Sequence, residues 1–215
     1  MYYNNYKTAR DTAWKTLIEC EIVKLPVNLA EVVNHYGIYL IKYSDSDYTS
    51  RHSLPNDDGY SRLVDNKPVI YYNDNKPTHR MRFTIAHEIG HILLGHLSQG
   101  ETLHRNTEQD TNNIKEQQAN VFARDLLMPA VVINQLAKSY IDISDLCNVS
   151  ELSASIRWQR LQELRLRNKF CLHPFERQVY NNFSTYIKKA SATANNWCLK
   201  RKTWEINPPN ILYNN

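Results

Sequence analysis

The sequence predicts an α+β fold that is mainly helical, with a small β-sheet beside one buried helix and a helix-turn-helix-like subdomain after it. Three observations lead there. All five glycines (Gly37, Gly59, Gly90, Gly95 and Gly100) lie in the first 100 of the 215 residues, so the rest of the chain reads as mainly helical. Short runs rich in β-branched and aromatic residues are confined to residues 38–72. From Phe83 to Leu94, apolar side chains fall on nearly every side of a helical projection, the pattern of a helix enclosed in a core.

Taken in order, Tyr6 to Glu21 carries helix-spaced Ala9, Ala13, Trp14, Leu17 and Ile18, and Leu29 to Tyr36 reads as a second helix. Strands are predicted at Ile38–Tyr43, Gly59–Val64 and Val69–Tyr72, the last two flanking the turn-like Asp65-Asn66-Lys67-Pro68. An edge of that sheet can take up an extended peptide by strand addition. Ser44–Asp58 is polar and reads as a mobile loop near the site, and Gln99–Asn113 as a polar linker. Glu116 opens a helix that Pro129 stops at Met128, because proline disfavours helical backbone in the residue before it. Ile143–Ser150 and Glu151–Leu161 read as helix, turn and second helix. One further helix is predicted over Pro174–Ala190, with Asn207-Pro208-Pro209-Asn210 extended. The aromatic residues of this last segment argue against disorder.

The chemistry concentrates in His87-Glu88-Ile89-Gly90-His91. Histidines four apart on a helix are rotated by only about 40°, so both imidazoles point into one space with Glu88 at its edge. That arrangement suits a zinc ion held by two histidines, with the glutamate as base for a bound water. Two buried imidazoles and a carboxylate are costly in an apolar helix unless something satisfies them, and a metal does. A catalytic zinc needs a third protein ligand, and the best candidate is Glu116. On its helix Glu116, Ala119, Asn120 and Ala123 share one side, where small residues permit close approach to the gap at Gly90. The alternative stays open at this point: Asn113 three residues before Glu116 is a capping-box-like pairing that would make Glu116 a helix-start residue and nothing more. His96 projects about 180° from His87 on a continued helix and is left out of the site.

Arg80-Met81-Arg82-Phe83-Thr84-Ile85-Ala86-His87-Glu88-Ile89-Gly90-His91, followed by Glu116-x-x-Ala119-Asn120-x-Phe122-Ala123-x-x-Leu126-Leu127-Met128-Pro129, resembles the ImmA/IrrE family of zinc metallopeptidases. The likeness extends more loosely through Leu25–Leu29 and Val69–Asn73 upstream, and to about Leu166 downstream. It implies a zincin-like domain with zinc ligands His87, His91 and Glu116 and catalytic glutamate Glu88, and none of these four positions departs from the family pattern. Together with the charge and aromatic pattern of the last third, three parts are expected: a metallopeptidase domain over 1–135, a helix-turn-helix-like subdomain over 136–169 and a basic aromatic extension over 170–215, where the likeness no longer reaches. The resemblance also implies a substrate, since members of this family often relieve repression by cleaving or inactivating a helix-turn-helix repressor in mobile elements or stress responses.

Composition bounds what remains. A chain with 42% hydrophobic and 22% charged residues is ordinary for a globular protein, and no window is apolar enough to span a membrane. Met1–Lys7 lacks a secretory apolar stretch, so a cytoplasmic location is expected. Cys20, Cys147, Cys171 and Cys198 are scattered and read as reduced thiols, not as a disulfide framework or second zinc site. Charge is uneven: residues 1–150 hold 15 Lys and Arg against 18 Asp and Glu, whereas 151–215 hold 11 against 4. The basic third offers Arg157, Arg160, Arg165, Arg167 and Lys169 to phosphates, so direct DNA binding stands as a minor alternative to protein docking or structural support. The expected function is a zinc-dependent intracellular protease acting on a helix-turn-helix repressor. The competing classes are a non-proteolytic zinc-containing regulator that binds DNA or a repressor, and a component of a toxin-antitoxin pair.

Overall fold

The computed structural model of the chain describes residues 3–45, 58–97, 103–104 and 114–206, with side chains described over 6–45, 58–97 and 114–192. Helix α1 (Tyr3–Glu19) and α2 (Leu29–His35) precede strand β1 (Tyr39–Lys42), and β2 (Gly59–Val64) and β3 (Lys67–Tyr72) lead into α3 (Thr78–Leu93). A two-residue strand β4 (Leu103–His104) is followed by α4 (Ile114–Leu127), α5 (Ala130–Leu136), α6 (Tyr140–Cys147), α7 (Glu151–Leu166) and α8 (Pro174–Ile206). The fold is therefore α+β and mainly helical, with a small sheet. The loop expected at 44–58 falls mostly outside the described residues, as does the extended segment at 207–210. The linker expected at 99–113 is described only at β4.

The sheet has the order β1-β3-β2-β4, with β1 parallel to β3 and the other pairs antiparallel. Val64 pairs with Lys67, so the β2–β3 hairpin turns on Asp65 and Asn66 alone. Both have positive φ, 49° and 60°, as a type I′ turn requires, and Asp and Asn tolerate that backbone better than most residues. Alternation along β3 gives the sheet two different faces. Ile70 joins the main core under the helices, while Val69 and Tyr71 pack with Tyr43 and Tyr60 in a small aromatic cluster on the other side.

Helix α4 is central, packing against both α3 and α1, while α3 also lies on β2 and β3. Its approach to α3 depends on Gly90. A Cβ there would lie 3.0 Å from Phe122 Cδ1 and 3.2 Å from the Cα of Ala119, so the glycine and alanine fit together as helix-on-helix contacts between small residues do. Gly59 does the same for the sheet, since a Cβ at its position would meet Tyr71 O at 2.7 Å and Thr84 Cγ2 at 2.8 Å. Residues 59 and 61 lie on one face of β2. With Gly59 against Thr84, Ser61 comes to rest under Glu88, one helical turn further along α3.

Helices α6 and α7 follow one another across a short turn at residues 148–150. Ser139 and Asp142 make a reciprocal capping box at the start of α6, Asn148 closes it in the left-handed conformation, and Ser150 caps α7. The basic residues of α7, however, do not all face solvent as expected. Arg157 is 1% exposed: its Nη2 donates to Asp125 Oδ1 at 2.6 Å, and Nε and Nη2 both donate to Met128 O, at 2.9 and 2.6 Å. It is thus spent on the end of α4 and withheld from any phosphate. Arg165 donates to Asn134 Oδ1 and stacks on Trp158, and Arg160 pairs with Glu163. The outer face of α7 presents Leu152 and Ile156 instead, 72% and 56% exposed. Helix α8 runs well past the predicted end at Ala190, and its Val179, Phe183 and Ile187 complete the core.

Candidate metal centre

His87 and His91 are buried on α3, and Glu116 sits in the first turn of α4, facing them across the contact that Gly90 allows. His87 Nε2 and His91 Nε2 are 3.0 Å apart. Glu116 Oε2 lies 3.1 Å from the first and Oε1 3.0 Å from the second. These three residues form a group able to hold a metal ion. Asn113, the residue on which the helix-start alternative for Glu116 depends, lies outside the described residues.

The groups behind the histidines fix which ring nitrogen carries each proton. Asn120 Oδ1 lies 3.0 Å from His87 Nδ1, and an amide oxygen only accepts, so Nδ1 holds the hydrogen and Nε2 turns its lone pair inward. His91 is set by a longer chain. Gln118 Oε1, 3.2 Å from His96 Nε2, accepts from it. Burial, with His91 close by, brings His96 down from its ordinary value of 6.5 to about 4, so the ring is neutral and its Nδ1 is an acceptor. At 3.1 Å from it, His91 Nδ1 is the donor, and His91 Nε2 is left with a lone pair. Two imidazole lone pairs and a carboxylate therefore converge at 3.0–3.1 Å with no proton among them. Such a set is strongly repulsive unless a cation shares it, and the nitrogen and oxygen donors suit a borderline metal such as zinc.

Glu88 is buried on the same helix but stands outside this group of three. Its Oε2 accepts a 2.6 Å hydrogen bond from Ser61 Oγ, which fixes the carboxylate from the sheet side. The arrangement supplies both halves of a hydrolytic centre: a metal-binding set and a positioned carboxylate that is not consumed by it.

Two of the supporting residues lie outside any local pattern. A continued α3 projection puts His96 on the far side, but the helix ends at Leu93, and Gly95, with φ of +70°, turns the chain so that His96 folds back beside His91. A glycine just past a helical run is the signal that could have shown it. Ser61 carries no such signal, because only the packing of β2 under α3 brings it to Glu88. Asn120 was already on the Glu116 face, so its role was within reach.

The family model of the M78 peptidases, described as an IrrE N-terminal-like domain, matches residues 35–159. That span contains His87, Glu88, His91 and Glu116. No curated protein matches the chain. Among the described residues no helix is long and apolar enough to cross a membrane.

Proposed function

Because the chain belongs to the IrrE N-terminal-like peptidase family, we propose that it is a zinc-dependent protease whose substrate is a helix-turn-helix repressor, cut at a defined site inside the cell to relieve repression. The observation that carries the proteolytic part is the division of labour among buried polar groups. Three lone-pair donors converge on one point, and a fourth group, Glu88, is held beside them by Ser61 and left out of the set. A purely structural ion needs no such neighbour.

His87, His91 and Glu116 would hold the zinc, which supplies charge to acidify a water and to polarise the scissile carbonyl. Glu88 accepts the proton of the attacking water and then delivers it to the departing amine, acting as general base and then as general acid. Ser61 keeps one carboxylate oxygen occupied, which orients the other for proton transfer. Asn120 and His96 hold the ligand imidazoles in the tautomer that keeps each Nε2 free of hydrogen. Strand addition at an edge of the small sheet offers a way to hold the substrate extended. The choice of a repressor as substrate rests on the family resemblance.

The test is incubation of the full chain, loaded with zinc, with the repressor-like product of a neighbouring gene, followed by intact-mass analysis. A single defined cut by wild type, absent with Glu88→Gln at equal abundance, is the expected result. Equal relief of repression in cells by wild type and Glu88→Gln would remove the protease reading and leave a regulator that works by binding.

A further inference from the structure

On the side of α4 away from Glu116, about half a turn around the helix and nine residues along it, Asp125 contributes to a cleft of about 450 Å³ between α1, α7 and the start of α8. Six cations line it, Lys7, Arg10, Arg157, Arg160, Arg167 and Lys169, against two carboxylates, Asp125 and Glu176. Asp125 neutralises Arg157, which leaves five cations against Glu176. Asp125 is held between Arg124 and Arg157, at 2.5 and 2.6 Å, and Glu176 accepts from the backbone at residues 171–173 as α8 begins. Arg10 shares its charge with Asp11 and Arg160 with Glu163. Lys7, Arg167 and Lys169 have no ion-pair partner among the described residues.

Cations arranged around a concavity differ from a solvated helix face, because several can reach one ligand at once and their potentials add inside it. The rest of the lining is mostly apolar, with Tyr6, Trp14, Ala130, Leu164 and Leu172, the last 59% exposed at the rim, and with His173 beside them. The volume lies within the range of small-molecule pockets and suits an occupant with an anionic end and a flat or apolar end. A nucleic-acid duplex fits less well, since the outer face of α7 carries leucine and isoleucine where a groove-reading helix would carry its polar contacts. We propose that this cleft binds a nucleotide-sized organic phosphate with at least two phosphate groups, Lys7, Arg167 and Lys169 taking the phosphates and Tyr6 and Leu172 the organic part. The site is separate from the metal centre and independent of the protease reading.

The test is calorimetric titration of the full, zinc-loaded chain in magnesium buffer with a nucleoside triphosphate, with inorganic triphosphate and with a short DNA duplex. Wild type should bind the nucleotide more tightly than inorganic triphosphate. Arg167→Ala combined with Lys169→Ala should weaken nucleotide binding about tenfold or more, while Lys24→Ala, an exposed charge elsewhere, should not change it. Both altered residues are exposed, so thermal unfolding of the double variant should match wild type. Absence of nucleotide binding, or equal weakening by Lys24→Ala, would overturn the proposal. Tight duplex binding that the nucleotide does not compete away would overturn it in favour of a nucleic-acid surface.

Discussion

Helix α4 carries two buried polar clusters, one near each end, and they are built in opposite ways. Near its C-terminal end the Asp125 carboxylate lies between the guanidiniums of Arg124 and Arg157, and Arg157 also caps Met128 O, so donors meet acceptors within the chain. Near its N-terminal end Glu116 faces two imidazoles whose other nitrogens are already committed, so acceptors meet acceptors. The first cluster pairs its charges within the chain, although Arg124 Nε has no hydrogen-bond partner, and it holds the fold together. The second is electrically incomplete and needs a cation from outside. A buried charge therefore identifies a functional site only when its surroundings leave it unsatisfied, and that is a property of partners and tautomers more than of burial.

The largest effect should come from breaking the charge-paired cluster. Arg157→Ala removes one of the two guanidinium partners of Asp125, leaves Met128 O without its side-chain donor and opens a cavity, and should cost about 3–5 kcal/mol of folding stability, read by chemical denaturation, while the folded fraction still binds one metal. At the other end, Glu116→Gln removes the anionic donor but keeps the size and helix-start hydrogen bonding of the side chain. Metal affinity should fall by about 100-fold or more, roughly 2.7 kcal/mol, with circular dichroism unchanged. Unchanged affinity would return Glu116 to the role of a helix-start residue.

A smaller effect is expected one step behind the ligands. Asn120→Ala or His96→Gln frees an imidazole to take the wrong tautomer, and each should lower metal affinity by about 10–100-fold without abolishing binding. The smallest concerns Cys147, which burial pushes up to about 12 despite Arg157 and Arg82 nearby. Since the unfolded thiol ionises near 9 and the folded one does not, the stability this group contributes is present below pH 9 and lost as pH rises from 9 towards 12. Cys147→Ala should flatten that part of the stability profile, and alkylation of wild-type Cys147 at neutral pH should require unfolding.

The same contrast explains what the sequence could convey. The His87–His91 spacing, Glu88 between them and the small-residue face of α4 are local patterns, visible along a single helix, and the hairpin turn at Asp65-Asn66 is equally local. Ser61 and His96 were not legible, because one depends on how the sheet docks under α3 and the other on a single turn at Gly95. Arg157 was misread for a related reason: a charged residue on a helix next to a turn looks solvated until the partner, Asp125 from a helix 32 residues earlier in the chain, is seen beside it.

Elemental analysis of the purified chain measures the difference between the two clusters directly. Wild type and Arg157→Met should each hold about one zinc per folded chain, and His87→Ala should hold none, because only the N-terminal cluster needs a cation. Full zinc occupancy in His87→Ala would contradict the account, showing that the metal is bound elsewhere and that the converging lone pairs at the head of α4 are satisfied in some other way.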